Sequence, residues 1–484
     1  MENNQKRGTE FIKNTIILFI GKFATQFISL LLLPLYTHYL LREDYGLVDL
    51  FQTYINLFVP ILTLRLDTAV FRFLIDKRKN KNGAKVIITN SMIILLVSIL
   101  ITIIIGFLSL FFIKTKYFNY VIINIIVLMI SNIMLQVLRG FGKTKQYSIA
   151  SIITGASTLI INVFLIIFCK FGANSILISS IISNVICIFY ICININIIGY
   201  IDKKVVSKNQ IKDILKYSLP MIPNSLSWWI VNVSDRTLIS IFLGVTFNGI
   251  YTVSCKFSNI LNSIYSIFNM SWQETASLHI DDKDKDVFFS NMVNKIFMLF
   301  SIISLLIVSI IPLFYTIIIG SNYYSSYNYI PILLYANSWN VLISLIGGIY
   351  IAKKRTREIA NTTIASAIIN LVINLLLINF IGLYAAAIST LISYFIMAIY
   401  RFFDCQKYVL LKLEIKKIVL YTIIYLISSF FYSLNNKLLC IINLIFVLLY
   451  SILSNKDTIK DLLKFLSNKK KGIKKDILRT KSSS

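Results

Sequence analysis

Runs of about twenty apolar residues recur along this chain, and each is long enough to cross the hydrocarbon core of a bilayer. Only 14% of the 484 residues are charged and 57% are hydrophobic, whereas a soluble domain has about 25% charged residues. Lipid offers no water to an open backbone, so such spans must be helical. The sequence therefore predicts an all-α polytopic membrane protein with about fourteen transmembrane helices, at residues 12–36, 46–68, 86–113, 121–138, 148–168, 176–199, 217–243, 247–276, 288–318, 328–351, 359–380, 383–403, 417–434 and 438–454.

The distribution of basic residues predicts the orientation. An even number of spans places both termini on one side of the membrane, and the positive-inside rule assigns the basic loops to the cytoplasm. With cytoplasmic termini, the outer loops hold only five of the 48 Lys and Arg residues: Arg42, Lys114, Lys116, Lys170 and Lys437. We therefore predict a multi-pass protein with cytoplasmic N- and C-termini.

Charge and cysteine usage exclude several classes of site. The net charge of +27 lies in short segments between spans and in the tail, so we expect no nucleic-acid partner. The tail from Asn455 is predicted to lie on anionic lipid as a basic amphipathic segment. The six cysteines form no CxxC pair and there are two histidines, so we expect neither a metal site nor a cofactor. The apolar run from Phe11 past Leu33 exceeds a signal-peptide core and is retained as the first span.

The chain also repeats itself. Residues 13–15 (Lys-Asn-Thr) match residues 216–218 (Lys-Tyr-Ser), and residues 45–47 (Tyr-Gly-Leu) match residues 248–250 (Asn-Gly-Ile) at the same offset. Six spans separate the copies, so the two repeats have the same orientation, an arrangement typical of transporters. We predict two six-helix lobes at 1–200 and 201–410, two extra helices at 411–454 and a basic tail at 455–484.

Polar positions follow one face of several spans. In the second span Asp49, Thr53 and Asn56 step by four and three residues, a spacing that keeps them on one helical face. The equivalent positions in the eighth span carry Thr252 and Lys256, followed by Asn259. Similar polar faces occur in the first and seventh spans. Such residues also join membrane helices by hydrogen bonds, but packing alone does not require charged side chains.

Three cations lie within the spans, namely Lys22, Arg236 and Lys256. A charge at the bilayer centre costs about 2.5–3.5 kcal/mol on insertion scales, so it normally faces water or a partner. We interpret the three as lining a hydrated cavity between the first, second, seventh and eighth spans, which indicates an anionic substrate. The predicted substrate-binding residues are Lys22, Gln26, Trp229, Asn232, Arg236, Lys256 and Asn259.

Several motifs resemble one group of transporters. Residues 220–229 (Pro-Met-Ile-Pro-Asn-Ser-Leu-Ser-Trp-Trp), 234–236 (Ser-Asp-Arg), 249–251 (Gly-Ile-Tyr) and 271–274 (Ser-Trp-Gln-Glu) are similar to those of polysaccharide-export flippases. These are the Wzx-like proteins, of the O-antigen and capsule type, within the multidrug/oligosaccharidyl-lipid/polysaccharide exporter superfamily. The resemblance extends over the first twelve spans.

The resemblance implies two six-helix lobes around a central cavity and no enzymatic activity. It implies that a polyprenyl-diphosphate-linked oligosaccharide moves from the inner to the outer leaflet of the bacterial plasma membrane by alternating access, for surface polysaccharide biosynthesis (lipopolysaccharide or capsule). The implied partners are this lipid-linked glycan and membrane lipid. A polysaccharide polymerase and a chain-length regulator are further candidates.

The residues leave the energy source and some rival functions open. Outward movement of negative charge is favourable by about 2.3 kcal/mol per charge per 100 mV. Alternatively, H⁺ or Na⁺ binds one of four acidic candidates for ion coupling: Asp49, Asp67, Asp235 and Glu274. The rival functions are a peptidoglycan-precursor flippase, a multidrug exporter and a membrane polysaccharide polymerase. A multidrug exporter is expected to have an acidic cavity, and a polymerase a large outer loop with catalytic Arg or His.

Overall fold

The computed structural model describes residues 28–78, 80–111, 115, 117–353 and 355–454. These residues form helices joined by short turns, without a β-strand among them, and the described part of each of the fourteen predicted spans overlaps at least one helix. The all-α prediction is confirmed. The helices are α1 (Ile28–Tyr39), α2 (Arg42–Leu62), α3 (Leu66–Asp76), α4 (Lys81–Ser109), α5 (Phe118–Gly140), α6 (Thr144–Val163), α7 (Asn174–Asn194), α8 (Lys208–Ser218), α9 (Ile222–Phe242), α10 (Val245–His279), α11 (Lys285–Ile318), α12 (Ile330–Ala352), α13 (Thr356–Ile381), α14 (Leu383–Cys405), α15 (Ile415–Ser433) and α16 (Lys437–Ser454).

Two of the helices predicted to span the membrane carry many polar side chains. In the described part of the chain, eleven helices are long and apolar enough to cross a membrane, and α9 and α10, the seventh and eighth predicted spans, are not among them. Their polar side chains lie inside the protein: Ser234 and Asp235 of α9, and Asn248 and Thr252 of α10, are all buried. Contacts with other helices therefore accommodate the polarity of α9 and α10.

The second predicted span is not one continuous helix, so the prediction of an unbroken helix over 46–68 is wrong. Pro60 lacks an N–H and removes a helical hydrogen bond from the last turn of α2. Leu64 and Arg65 then have φ angles of 52° and 55°, in the left-handed region that non-glycine residues rarely adopt. Because of this break, Asp67 in α3 does not continue the polar face of α2.

Helix α2 connects the two halves of the described chain. It packs against α5 and also against α9 and α10. In the first half, α7 packs on α5 and α6, and α5 packs on α3. In the second half, α10 packs on α12, α12 on α14, and α13 on α9 and α14, while α15 and α16 cover α11. The polar faces of α2, α9 and α10 therefore meet where the two halves join.

The backbones of α2 and α10 touch near their first turns. A methyl group added to Gly46 would lie 2.6 Å from the Gly249 nitrogen, so a side chain has no room there. The Asn248 side chain donates to the Gly46 carbonyl at 2.8 Å. Beside this contact, the Tyr323 hydroxyl donates to the Leu40 carbonyl at 3.1 Å. We call these contacts the outer closure, because the predicted topology places this end of the helices on the outer side.

Candidate functional site

A cavity of about 410 Å³ lies where the two halves meet. Arg236 and Lys256, the two predicted intramembrane cations within the described residues, both line it. Its walls come from α1, α2, α9 and α10, the first, second, seventh and eighth predicted spans, and also from α6 and α7, which the sequence did not indicate. We call it the central cavity, and its polar and charged lining consists of Ser29, Asp49, Gln52, Asn56, Thr154, Thr158, Arg236 and Lys256.

Arg236 is held by residues of α2. Its Nη1 lies 3.3 Å from the Asp49 Oδ2 and donates to the Thr53 hydroxyl at 3.3 Å. The same Asp49 oxygen accepts a hydrogen bond from Thr252 of α10 at 2.7 Å. The side chains of Arg236 and Asp49 are only 19% and 10% exposed. This pair is therefore a partly buried link between α2, α9 and α10.

Lys256 lies one turn along α10 from Thr252 and has a different environment. Its ammonium donates to the Ser29 hydroxyl of α1 at 3.3 Å. Within the described residues it forms no ion pair, because Asp49 is bonded to Arg236. One carboxylate thus faces two cations, which leaves one net positive charge in the described lining of the central cavity.

Trp229 is fixed by a hydrogen bond from its own ring. The indole N–H donates to the Thr53 carbonyl of α2 at 2.9 Å, and the ring stacks on Tyr54 with centroids 6.3 Å apart. A buried indole normally needs such a partner. Trp229 therefore binds α9 to α2 about two turns from Arg236, and its stacking face is shared with a tyrosine.

A second polar cluster surrounds Asp235, which is adjacent to Arg236 in the sequence but lies on a different face of α9. Its carboxylate accepts from Asn374 of α13 and Thr390 of α14, both at 2.9 Å, and from the Tyr251 hydroxyl at 3.3 Å. With its amide reoriented, Asn370 also donates to it at 3.0 Å. Asp235 is buried and forms no ion pair within the described residues. It is a carboxylate held only by neutral donors.

The other predicted residues have varied positions. Lys22 and Gln26 lie outside the described residues, and Asn232 lies in α9 with its side chain outside the described part. Asn259 and Glu274 are exposed on α10. Asp67 pairs with Arg65 at 3.6 Å and is separated from the central cavity by the break after α2. Of the four acidic candidates, the structure places Asp49 in the central cavity and Asp235 in a cluster of its own.

The sequence did not indicate the pairing of Asp49 with Arg236. The available signal was the offset of 203 residues, at which Asp49 is equivalent to Thr252 and Gly46 to Gly249. Both equivalent pairs are in contact. Helices related by an axis along the membrane normal meet their own equivalents near that axis. The offset of 203 residues could therefore have been used to predict the contact between α2 and α10.

The fold is that of transporters of the multidrug and toxin extrusion class. The structure of an "Inward-facing conformation of a multidrug resistance MATE family transporter of the MOP superfamily" superposes with a TM-score of 0.64 at 16% identity, covering 79% of this chain and 94% of the other. The outward-facing conformation of such a transporter gives 0.56 at 16% identity over 82% and 94%. A MATE structure in complex with MaL6 gives 0.57 at 15% identity over 82% and 95%. No curated protein sequence matches.

Family membership follows from the sequence. Residues 11–272 match the family model described as "Polysaccharide biosynthesis protein", which is more than half of the chain. The chain belongs to this family, so the predicted resemblance is confirmed. Its family and fold are those of membrane exporters and flippases.

Proposed function

We propose that this protein moves a polyprenyl-diphosphate-linked oligosaccharide from the inner to the outer leaflet of the bacterial plasma membrane. The observation that carries this proposal is the net positive charge of the central cavity, where Arg236 and Lys256 face a single carboxylate. A diphosphate is the part of such a substrate that needs cations. Family membership supports polysaccharide biosynthesis as the process.

The two cations have unequal roles in this proposal. Arg236 is occupied by Asp49 and Thr53, so it positions α2 against α9 and adds to the positive field. Lys256 has only the Ser29 hydroxyl as its hydrogen-bond partner among the described residues. An ammonium with three donors can exchange one weak contact for a phosphate oxygen without breaking an ion pair. Lys256 is therefore the proposed direct ligand of the diphosphate, joined by Lys22 and Gln26, and Asn56 and Gln52 offer hydrogen bonds beside it.

The outer closure supports loading from the inner side. With Gly46 against Gly249, α2 and α10 leave no passage between them at that end. Transport by alternating access requires these two helices to separate there while the opposite end closes. The inward-facing and outward-facing structures of MATE family transporters are two such alternating conformations. In this cycle, Trp229, Asn232 and Asn259 are the further proposed contacts of the sugar.

Asp235 is the proposed ion-coupling residue. A buried carboxylate without a counter-ion is costly unless it gains a proton or binds a cation. Its partners come from α10, α13 and α14, so a change of its charge state acts on the packing of the second half. Asp49 is less suited because Arg236 already neutralises it. Asp67 and Glu274 lie outside both clusters.

The decisive experiment removes the cavity charge. Purified protein in proteoliposomes is assayed for movement of a fluorescent diphosphate-linked oligosaccharide, and the same variants are tested for surface glycan in dependent cells. K256Q is expected to reduce transport at least tenfold, with normal expression. K437Q, which removes an exposed cation outside the cavity, is the matched control. Transport by K256Q at the rate of K437Q would show that the cavity charge does not bind the substrate.

The same assay separates the rival transporters. A multidrug exporter would move organic cations, for which K256Q should improve rather than impair transport because it removes repulsion. A peptidoglycan-precursor flippase would accept a diphosphate lipid carrying a muropeptide. A polymerase and a chain-length regulator are proposed neighbours of the outward-delivered glycan.

A further inference from the structure

A buried arginine lies in α14, away from the central cavity. Arg401 is 3% exposed, although it belongs to the last turns of its helix. Its Nε donates to the Thr362 hydroxyl at 3.0 Å and its Nη1 to the Ile343 carbonyl at 3.1 Å. Its Nη2 donates to the Ile359 carbonyl at 3.2 Å and the Thr363 hydroxyl at 3.1 Å. All four acceptors are neutral.

The charge of Arg401 is not balanced within the described part of the chain. None of the ion pairs there includes it. The nearest acid along its own helix, Asp404, accepts from Lys407 at 2.6 Å and from Tyr350 at 2.8 Å. Removing a guanidinium from water without a counter-ion costs several kcal/mol even when its hydrogen bonds are made. Such a group is expected to have a use beyond packing.

A cavity of about 110 Å³, lined by both polar and apolar residues, adjoins the guanidinium. Arginine has five N–H donors, and the four hydrogen bonds leave one on Nη1. That atom lies 3.2 Å from the position a side chain would take at Gly347, which lines the cavity. The other polar walls are Asn269, Gln273, Asn340, Ser344, Thr363 and Tyr394. The apolar walls are Ile343, Ile351, Ile359 and Met397.

Helices α12 and α10 each direct two polar residues, spaced one turn apart, toward this cavity. In α12, Asn340 and Ser344 are half-buried, one turn apart, whereas every residue from 345 to 350 is buried. In α10, Asn269 and Gln273 have the same spacing and the same half-burial. An apolar cavity of about 150 Å³ admits benzene, so a cavity of about 110 Å³ with a buried guanidinium in its wall has room for a single tetrahedral oxyanion.

We infer that Arg401 and this cavity form a second anion site, which binds one phosphoryl group. It is separate from the central cavity, and its walls belong to α10, α12, α13 and α14. Under the predicted topology these parts of the helices lie on the cytoplasmic side, where a phosphate-bearing lipid would first meet the protein. The lipid source of the phosphate rests on the proposed function, whereas the site itself does not. Soluble phosphate is the other source of the same chemistry.

The test uses the full chain in nanodiscs with two probes, inorganic phosphate and polyprenyl diphosphate, each in a direct binding titration. R401Q is expected to weaken binding at least tenfold. S344L fills the cavity from α12 and leaves the four hydrogen bonds of Arg401 in place, so it should weaken binding equally even if R401Q folds poorly. K412Q removes an exposed cation near the same end and is the control.

The two probes identify the source of the anion. Dependence on Arg401 for the lipid alone identifies a headgroup site, and dependence for both probes identifies a general oxyanion site. Wild-type binding of both probes by S344L would overturn the inference and leave Arg401 as a tie between α12, α13 and α14. Because binding is scored without transport, failure here is distinct from failure of K256Q to impair transport.

Discussion

The contact between Gly46 and Gly249 gives a sharp test of the outer closure. In G46A, the added methyl would overlap the Val245 carbonyl oxygen and lie 2.6 Å from the Gly249 nitrogen, whereas non-bonded heavy atoms prefer about 3.5 Å or more. The two helices must therefore separate by more than about 1 Å or distort. Overpacking of this kind costs about 1–3 kcal/mol, which corresponds to about a 5- to 150-fold shift in a two-state equilibrium. The cost falls on the closed state alone.

Distance measurements between spin labels report this shift. Labels at L41C and F247C, in a chain with the native cysteines replaced, lie at the starts of α2 and α10 on exposed side chains. We expect a short distance in the parent protein and a larger share of long distances in G46A. G249A should act in the same direction, because a methyl there also meets the facing backbone.

A matched control is available in α4. A methyl on Gly83 meets only the flexible Lys77 side chain and the Asn80 side chain at 3.0–3.3 Å. G83A is therefore expected to keep the parent distances. If G46A and G249A give the same distribution as G83A, the glycine contact does not hold this end closed, and the reasoning from the Cβ positions is refuted.

Three further variants test the charged groups. D49N leaves the Arg236 guanidinium without its carboxylate, and loss of one partner from a buried pair costs about 3–5 kcal/mol. The midpoint temperature of thermal unfolding in detergent should therefore fall by several degrees. An unchanged midpoint temperature would argue against the pair. D235N should abolish the response of transport to imposed Na⁺ or H⁺ gradients while its neutral donors keep it folded; an intact response would assign the drive to voltage. The Lys353 ammonium, donating at 2.7 Å, holds the pKa of Asp281 below its usual value, so this surface contact is complete near neutral pH and is lost as the pH falls through that lowered pKa. K353Q should therefore remove only the contribution of Asp281 to the stability lost between pH 6 and pH 2, and an acid-unfolding curve identical to that of the parent protein would argue against the contact.

The helices could be predicted from the sequence because the bilayer imposes one length and one backbone geometry. Within the described residues, each predicted span overlaps a helix, and the second is divided between two. The break after α2 could not be predicted with equal certainty. Pro60 marks it, but prolines are tolerated in membrane helices when neighbours satisfy the freed carbonyls. Leu64 and Arg65 are not residue types that favour the left-handed conformation they adopt.

The candidate site was predicted in part. Arg236 and Lys256 stood out because each interrupts an apolar run, and both line the central cavity. The contribution of α6 through Thr154 and Thr158 was missed, since hydroxyl residues in a membrane helix carry little signal by themselves. Arg401 was missed for a different reason. Near a helix end an arginine normally extends to the membrane surface, and only the packed structure shows that this one is buried.

Positions that match between the two repeats and positions that differ between them have different physical roles. Where α2 crosses α10, equivalent residues touch: Gly46 meets Gly249 and Asp49 meets Thr252. When equivalent residues of the two repeats touch, the two helices can separate or close symmetrically. This suits a hinge whose open and closed states must be close in free energy.

The cations follow no such symmetry. The equivalent of Lys256 is Thr53, which accepts a hydrogen bond from Arg236, and the equivalent of Arg236 is Leu33, which is buried in the apolar core. A substrate with one charged end and one long neutral chain has no symmetry of its own. A cavity that binds its charged end should therefore not repeat its cations at equivalent positions, while the crossing that opens and closes the cavity keeps the symmetry of both repeats.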